Sequence, residues 1–148
     1  MSNLSGFIKR IRDVMRNDAG INGDAQRIEQ IVWMLFLKVY DAKEQDWEMD
    51  EDDYVSIIPE EYRWCNWGHD DKKGNALTGD NLLDFINNKL FPALKGLEVN
   101  NDTPIKKAIV KTTFEDANNY MKDGVLLRQV VNIIDELELN DYEETHAF

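Results

Sequence analysis

The sequence predicts an all-α fold: one helical domain packed around a long central buried helix at about 24–46. Apolar residues recur at helical spacing in successive segments, and no alternating strand pattern is long enough to compete with them. Cap and turn residues punctuate the intervals between those segments. The 148 residues are 43% hydrophobic and 31% charged, which is too apolar for a disordered acidic tail. They suit one domain with a radius of gyration of roughly 15 Å.

Residues 3–17 place Phe7, Ile8, Ile11, Val14 and Met15 on one helical stripe, with basic residues on the other face. Gly20 and Gly23 mark a loop, and Asp24 is the expected N-cap of the next helix. That helix carries Ile28, Ile31, Val32, Leu35, Phe36, Val39 and Tyr40 on one stripe. Trp33, Met34 and Leu37 make its middle apolar all round, so burial on every side is expected. At 1.5 Å per residue it is roughly 35 Å long.

The stretch from Asp41 to Gly79 is the least regular. A third amphipathic segment begins at Asp80 with Leu82, Leu83, Phe85, Ile86, Leu90 and Phe91, and Pro92 is expected to end or kink it. Thr103-Pro104 reads as an N-cap followed by proline at the first helical position. The helix it starts should run to about Phe114, with Ile105, Ala108 and Ile109 inward and Lys106, Lys107 and Lys111 outward. Asp123 is the expected cap of a last helix bearing Leu126, Val130, Ile133, Ile134 and Leu137.

The formal net charge is −12, unevenly spread. Met1 to Arg16 is net +3, through Lys9, Arg10, Arg12 and Arg16 against Asp13, and Lys89 to Lys111 is also net +3. Asp41 to Glu61 sets ten carboxylates against Lys43, and Asp135 to Glu144 adds six acids and no base. A pI near 4.5 argues against an autonomous nucleic-acid-binding domain, because such binding begins with phosphate neutralisation. Two basic segments on an acidic body can steer a polyanion to one face, or can simply be solvated helix faces. The longest uncharged apolar run, Ile31 to Leu37, falls far short of the roughly 20 residues of a membrane span. No secretory pattern stands at the N-terminus, and the single cysteine, Cys65, excludes an internal disulfide framework. The expected location is cytoplasmic.

Catalytic motifs are not found. Gly74 and Gly79 have the P-loop separation, but Asp80 and Asn81 follow in place of Lys and Ser/Thr. No Gly-x-Gly occurs, so a Rossmann-type cofactor loop is missing. A calcium loop starting at Asp50 would need glycine where Val55 stands. Cys65 and His69 lie four apart, yet four zinc ligands would also require distant carboxylates or His146. Neither a catalytic nor a metal-ligating residue is assigned. The rings of Tyr62, Trp64 and Trp67, with Trp47 upstream, serve either as a satellite core or as an exposed stacking platform, and packing is the ordinary state.

Three segments carry a family likeness: Gln30-Ile-Val-Trp-Met-Leu-Phe-Leu-Lys-Val-Tyr-Asp41, Ile58-Pro-Glu-Glu-Tyr-Arg-Trp64 and Leu126-Leu-Arg-Gln-Val-Val-Asn-Ile-Ile-Asp-Glu-Leu137. In order and spacing they resemble the N-terminal helical domain of the modification (M) subunit of type I restriction-modification DNA methyltransferases, over almost all of the chain. The resemblance implies that residues 1–148 are that domain of an adenine-N6-specific methyltransferase using S-adenosylmethionine. The implied partners are a specificity subunit, a second M subunit, the restriction subunit of the larger complex, and duplex DNA. The family's glycine-rich cofactor loop and Asn-Pro-Pro-(Phe/Tyr) motif are absent, so no catalytic or cofactor residue is carried over. The catalytic domain is expected to follow Phe148.

On this reading the domain closes around DNA and contacts partner subunits, with Lys9, Arg12, Arg16, Lys106, Lys107 and Lys111 as candidate phosphate contacts. Phosphate contacts position without specifying sequence. Two rivals are a purely protein-interaction module without DNA contact and an acidic DNA-mimic inhibitor.

Overall fold

The computed structural model describes residues 4–137. The acidic residues Glu138, Asp141, Glu143 and Glu144, together with His146, lie outside the described residues. The described residues contain helices and no strand.

Helix α2 (Asp24–Asp50) is the spine, 27 residues long. It buries Trp33, Met34, Leu37 and Tyr40, and the same face continues through Gln30, Asp41 and Glu44, all buried. The expected stripe is therefore rotated. Ile28 and Val32 are exposed, so the helix is central but not covered on every side. Polar residues hold places on the inward face because other elements supply their partners. Gln30 donates to Asn119 Oδ1 at 2.8 Å and accepts the Tyr120 N–H at 2.7 Å. Asp24 does not cap the helix. Gly23 occupies that position, and Asp24 lies in the first turn paired with Arg27.

Helix α1 (Leu4–Met15) buries Ile11 and Met15 and lies mainly against α7 (Gly124–Glu136). Asp123 caps α7 as the sequence predicts, accepting the N–H groups of Val125 at 2.9 Å and Leu126 at 3.1 Å. The buried carboxylate of Asp18 ties the loop after α1 to the same place, accepting the N–H groups of Lys122 and Asp123 at about 3 Å.

A short helix, α3 (Trp64–Trp67), follows a 3-10 turn at Glu60–Tyr62. Helix α4 (Gly79–Phe85) packs on α7 where two glycines meet. A Cβ on Gly124 would stand 1.8 Å from the carbonyl oxygen of Gly79, itself at φ +58°. Gly124→Ala should therefore force the helix starts apart and destabilise the domain by about 3 kcal/mol, measured by urea denaturation. A loss below about 0.5 kcal/mol, the scale of a neutral surface change, would contradict that contact.

Pro92 does not end its segment; the helical path is distorted just before it instead. A π-helical turn at Ile86–Leu90 joins α4 to α5 (Phe91–Lys95), with Pro92 in the first turn of α5. The widened turn absorbs the missing donor and the clash of the ring with the preceding turn.

Helix α6 (Ile105–Glu115) starts one residue later than expected, with Pro104 in the cap position. Thr103 Oγ1 instead accepts the N–H of Asn100 at 2.8 Å, closing the turn before the helix. Its faces are also reversed. Val110 and Phe114 are buried, while Ile105 and Ile109 are exposed. The reason is aromatic: Phe114 stands 5.4 Å from Phe91 and 6.4 Å from Trp33, centroid to centroid, and that cluster fixes the helix's rotation. Trp33 also meets Phe91 edge-on at 4.9 Å. Trp64 and Trp67 are buried 5.0 Å apart and Tyr62 packs against the core, so this aromatic group is packing.

Candidate interaction surface

The six candidate phosphate contacts fall on two helices with different fates. Lys9 and Arg12 stand exposed on α1 and Arg16 in the turn just after it, where its N–H still bonds the Arg12 carbonyl at 2.9 Å, so the three at i, i+3 and i+7 share one face. Lys9 and Arg16 share Asp13, at 3.0 and 3.5 Å, while Arg12 makes no ion pair among the described residues. On α6 the lysines have structural work. The Lys106 ammonium lies 3.8 Å from the Trp47 ring centroid, with Tyr54 at 5.9 Å. Lys111 Nζ donates to the carbonyls of Lys95 at 3.0 Å and Leu97 at 2.7 Å, satisfying acceptors where α5 ends. Lys107 is half-buried. The structure thus gathers three of the six candidates on one open face and turns two inward.

Several charged residues that the sequence does not single out prove to be buried anchors. Glu44 collects the loop after α2, accepting from Tyr54 OH at 2.7 Å, Ser56 Oγ at 3.0 Å and the Ile57 N–H at 2.8 Å. Arg63 donates through Nε to Asp41 at 2.8 Å and pairs with Glu48 at 2.9 Å and Glu60 at 3.3 Å. Arg128 is buried and, among the described residues, has no contacting carboxylate; it donates to the carbonyls of Leu77 at 2.7 Å, Gly68 at 3.1 Å and Trp67 at 2.9 Å. The signal for two of these was their phase: Gln30, Met34, Leu37, Asp41 and Glu44 repeat at four and three residues along α2.

Cys65 and His69 do not come together as a nucleophile pair. The Cys65 thiol lies 3.5 Å from Asp41 Oδ1, and burial with the neighbouring carboxylate pushes it up to about 11, so it is protonated at neutral pH. His69 Nδ1 is instead 2.9 Å from Asp135 Oδ2. Asp135 also accepts Trp64 Nε1 at 2.8 Å, and Lys38 lies 3.6 Å away. Burial alone would raise the Asp135 carboxyl, but His69, Trp64 and Lys38 outweigh it and hold the group below the usual carboxylate range. A depressed folded value means that this stabilisation is complete above the unfolded value of about 3.9 and is lost as pH falls through the folded one. Asp135→Asn should lower stability at neutral pH and flatten the acid limb of a stability-against-pH curve. An acid limb unchanged in the variant would contradict this.

Two concavities adjoin α1. A cleft of about 750 Å³ borders α1 and α7, with Arg10, Asp13, His69, Asp135 and Glu136 among its lining residues. Arg10 and Glu136 close on each other there at 2.9 Å. A smaller groove of about 270 Å³ separates α1 from α2, floored by Ile8, Ile28, Ile31 and Val32. No group of three or more metal-ligating side chains occurs among the described residues, and no helix among them is long and apolar enough to cross a membrane.

The described residues form an all-helical domain whose surface carries a basic helix face, a polar cleft and an apolar groove. It belongs to the HsdM N-terminal domain family, whose model matches residues 4–134. The chain is 45% identical over 145 residues to the type I restriction enzyme EcoEI methylase subunit of Escherichia coli, covering 98% of this chain and 29% of that protein. Its structure is similar to that of a modification subunit assigned to a type I restriction enzyme from Vibrio vulnificus YJ016. That similarity has a TM-score of 0.84 and 32% identity, over 97% of this chain and 32% of the other. A chain from work on complex assembly and conformational transition of the type I R-M system is also similar, with a TM-score of 0.78 and 29% identity. There 94% of this chain and 26% of the other are covered. The chain thus spans about a third or less of the length of each of these relatives.

Proposed function

We propose that this chain is the N-terminal contact domain of a type I modification subunit, holding a catalytic domain on duplex DNA and against its partner subunits. The whole enzyme on this reading is a cytoplasmic, S-adenosylmethionine-dependent, adenine-N6-specific DNA methyltransferase. Its partners are a specificity subunit, a second modification subunit and, in the larger complex, a restriction subunit. The supporting observation is the exposed α1 face of Lys9, Arg12 and Arg16, which is the arrangement phosphate contact requires. The family match supports the setting.

A domain with net charge −12 and three such cations positions DNA only as part of an assembly. The 148-residue chain alone should bind duplex DNA at non-specific strength, with a Kd of about 10⁻⁴ M or weaker at physiological salt. Fluorescence anisotropy tests this, and sub-micromolar binding by the isolated chain would overturn it.

The purely protein-interaction reading has one observation of its own: Lys106 and Lys111, expected to face DNA, are engaged within the fold. It predicts that neutralising Lys9, Arg12 and Arg16 leaves DNA affinity of the assembled enzyme unchanged.

A further inference from the structure

We infer that the groove between α1 and α2 receives an amphipathic helix of a partner protein, one that presents an aliphatic ridge with a carboxylate beside it. The inference rests on the contact-domain reading and names the partner's chemistry. Ile28 and Val32 are 61% and 54% exposed on an otherwise strongly charged chain, and with Ile8 and Ile31 they form a concave apolar floor. The groove exists because α1 lies mainly against α7, leaving one flank of α2 uncovered. At about 270 Å³ it lies below the ~300–1,000 Å³ range of small-molecule sites and suits anchoring side chains of a larger partner.

The polar rim decides the partner's charge. Arg27 Nε is buried without an acceptor among the described residues, while the far end of the same guanidinium is held by Asp24. Arg12 faces the groove from α1 with no ion pair among the described residues. A carboxylate entering here would meet a rim of Arg12 and Arg27 against Asp24, net positive, as charge-assisted pairing favours. The described residues offer no sheet edge for strand addition, so a helix laid in the groove is the mode that fits. Duplex DNA fits poorly, because phosphates gain nothing from an isoleucine and valine floor.

The test uses two hydrocarbon-stapled helical peptides of about four turns, with leucines at i, i+4 and i+7. One carries glutamate beside the ridge and its twin carries lysine. Titrated into the 148-residue chain and followed by methyl NMR, the glutamate peptide should shift Ile8, Ile28, Ile31 and Val32. It should bind about tenfold more tightly than its twin. Arg27→Met should abolish the difference between the twins, and Ile28→Glu should abolish binding of both. Arg27 is the discriminating variant, because Arg12 also belongs to the proposed DNA face. Equal affinity of the twins for the unaltered chain, or methyl shifts confined to another surface, would overturn the proposal. So would groove shifts that appear on concentrating the chain alone, which would mark a second copy as occupant, or on adding duplex DNA to the Arg12→Gln chain, which would mark DNA as occupant of the apolar floor itself. Ile28→Glu in the assembled enzyme separates this proposal from its parent reading. If both peptides fail and the variant still assembles, the groove assignment falls, and the contact-domain reading survives on other surfaces.

Discussion

Arg63→Met should destabilise the domain by about 3–5 kcal/mol, the range for stripping one partner from a buried ion pair. The side chains of Arg63 and Asp41 are 4% and 5% exposed, so water reaches neither freely. Without Arg63, Asp41 keeps only Gln45 Nε2 at 2.9 Å and the weak Cys65 donor. Glu48 and Glu60 would then stand near an uncompensated charge. The larger part of the loss is thus the penalty on the orphaned carboxylate. Asp41→Leu added to Arg63→Met should recover more than half of it, since replacing both members of a buried pair is often close to neutral. Urea denaturation of the two single variants and the double variant measures this. A double variant as unstable as the sum of the singles would contradict it.

Glu44→Ala comes next in size. One carboxylate carries the Tyr54 phenol and the Ile57 N–H from the loop that leads out of α2, so its removal orphans both, while the nearby Ser56 hydroxyl keeps the Ile58 carbonyl as acceptor. Hydrogen bonds to charged groups contribute about 1.5–3 kcal/mol each, non-additively, and the variant should lose about 3 kcal/mol or more. The damage should be local first: amide exchange at Ile57 should accelerate before that of α7. Glu44→Gln keeps one acceptor oxygen and should lose about half as much. Uniform acceleration across the whole chain in Glu44→Ala would show that the carboxylate does not organise this loop in particular.

How legible the molecule was in its sequence varies by element, for physical reasons. The last helix reads cleanly because its inward face is almost wholly aliphatic and Asp123 caps it by its own side chain. Helix α2 misleads because its inward face includes Gln30, Asp41 and Glu44, whose partners lie outside the helix at separations of 10 residues for Glu44 and Tyr54, 22 for Asp41 and Arg63 and 89 for Gln30 and Asn119, while its exposed flank carries Ile28 and Val32. Hydrophobic periodicity takes the apolar flank for the core. Helix α6 misleads in the same way. A lysine ammonium is attracted to an aromatic face, so Lys106 lies over Trp47 while Ile105 faces solvent. The meeting of Gly79 and Gly124 was hidden because it is a tertiary contact between segments 45 residues apart. Of the candidate surface, the α1 cations follow from composition and helical spacing. The groove does not, because it depends on where α1 settles against α7.

On the proposed reading this domain positions DNA through α1 and stays out of the chemistry. The salt dependence of DNA binding in the assembled modification complex tests this, comparing the unaltered complex with Lys9→Gln/Arg12→Gln/Arg16→Gln. Each lost phosphate contact should reduce the slope of log K against log salt by about 0.9, so the triple variant should be shallower by about 2–3, with sequence preference unchanged. An identical slope in the two complexes would contradict the reading and leave α1 as a surface for protein alone.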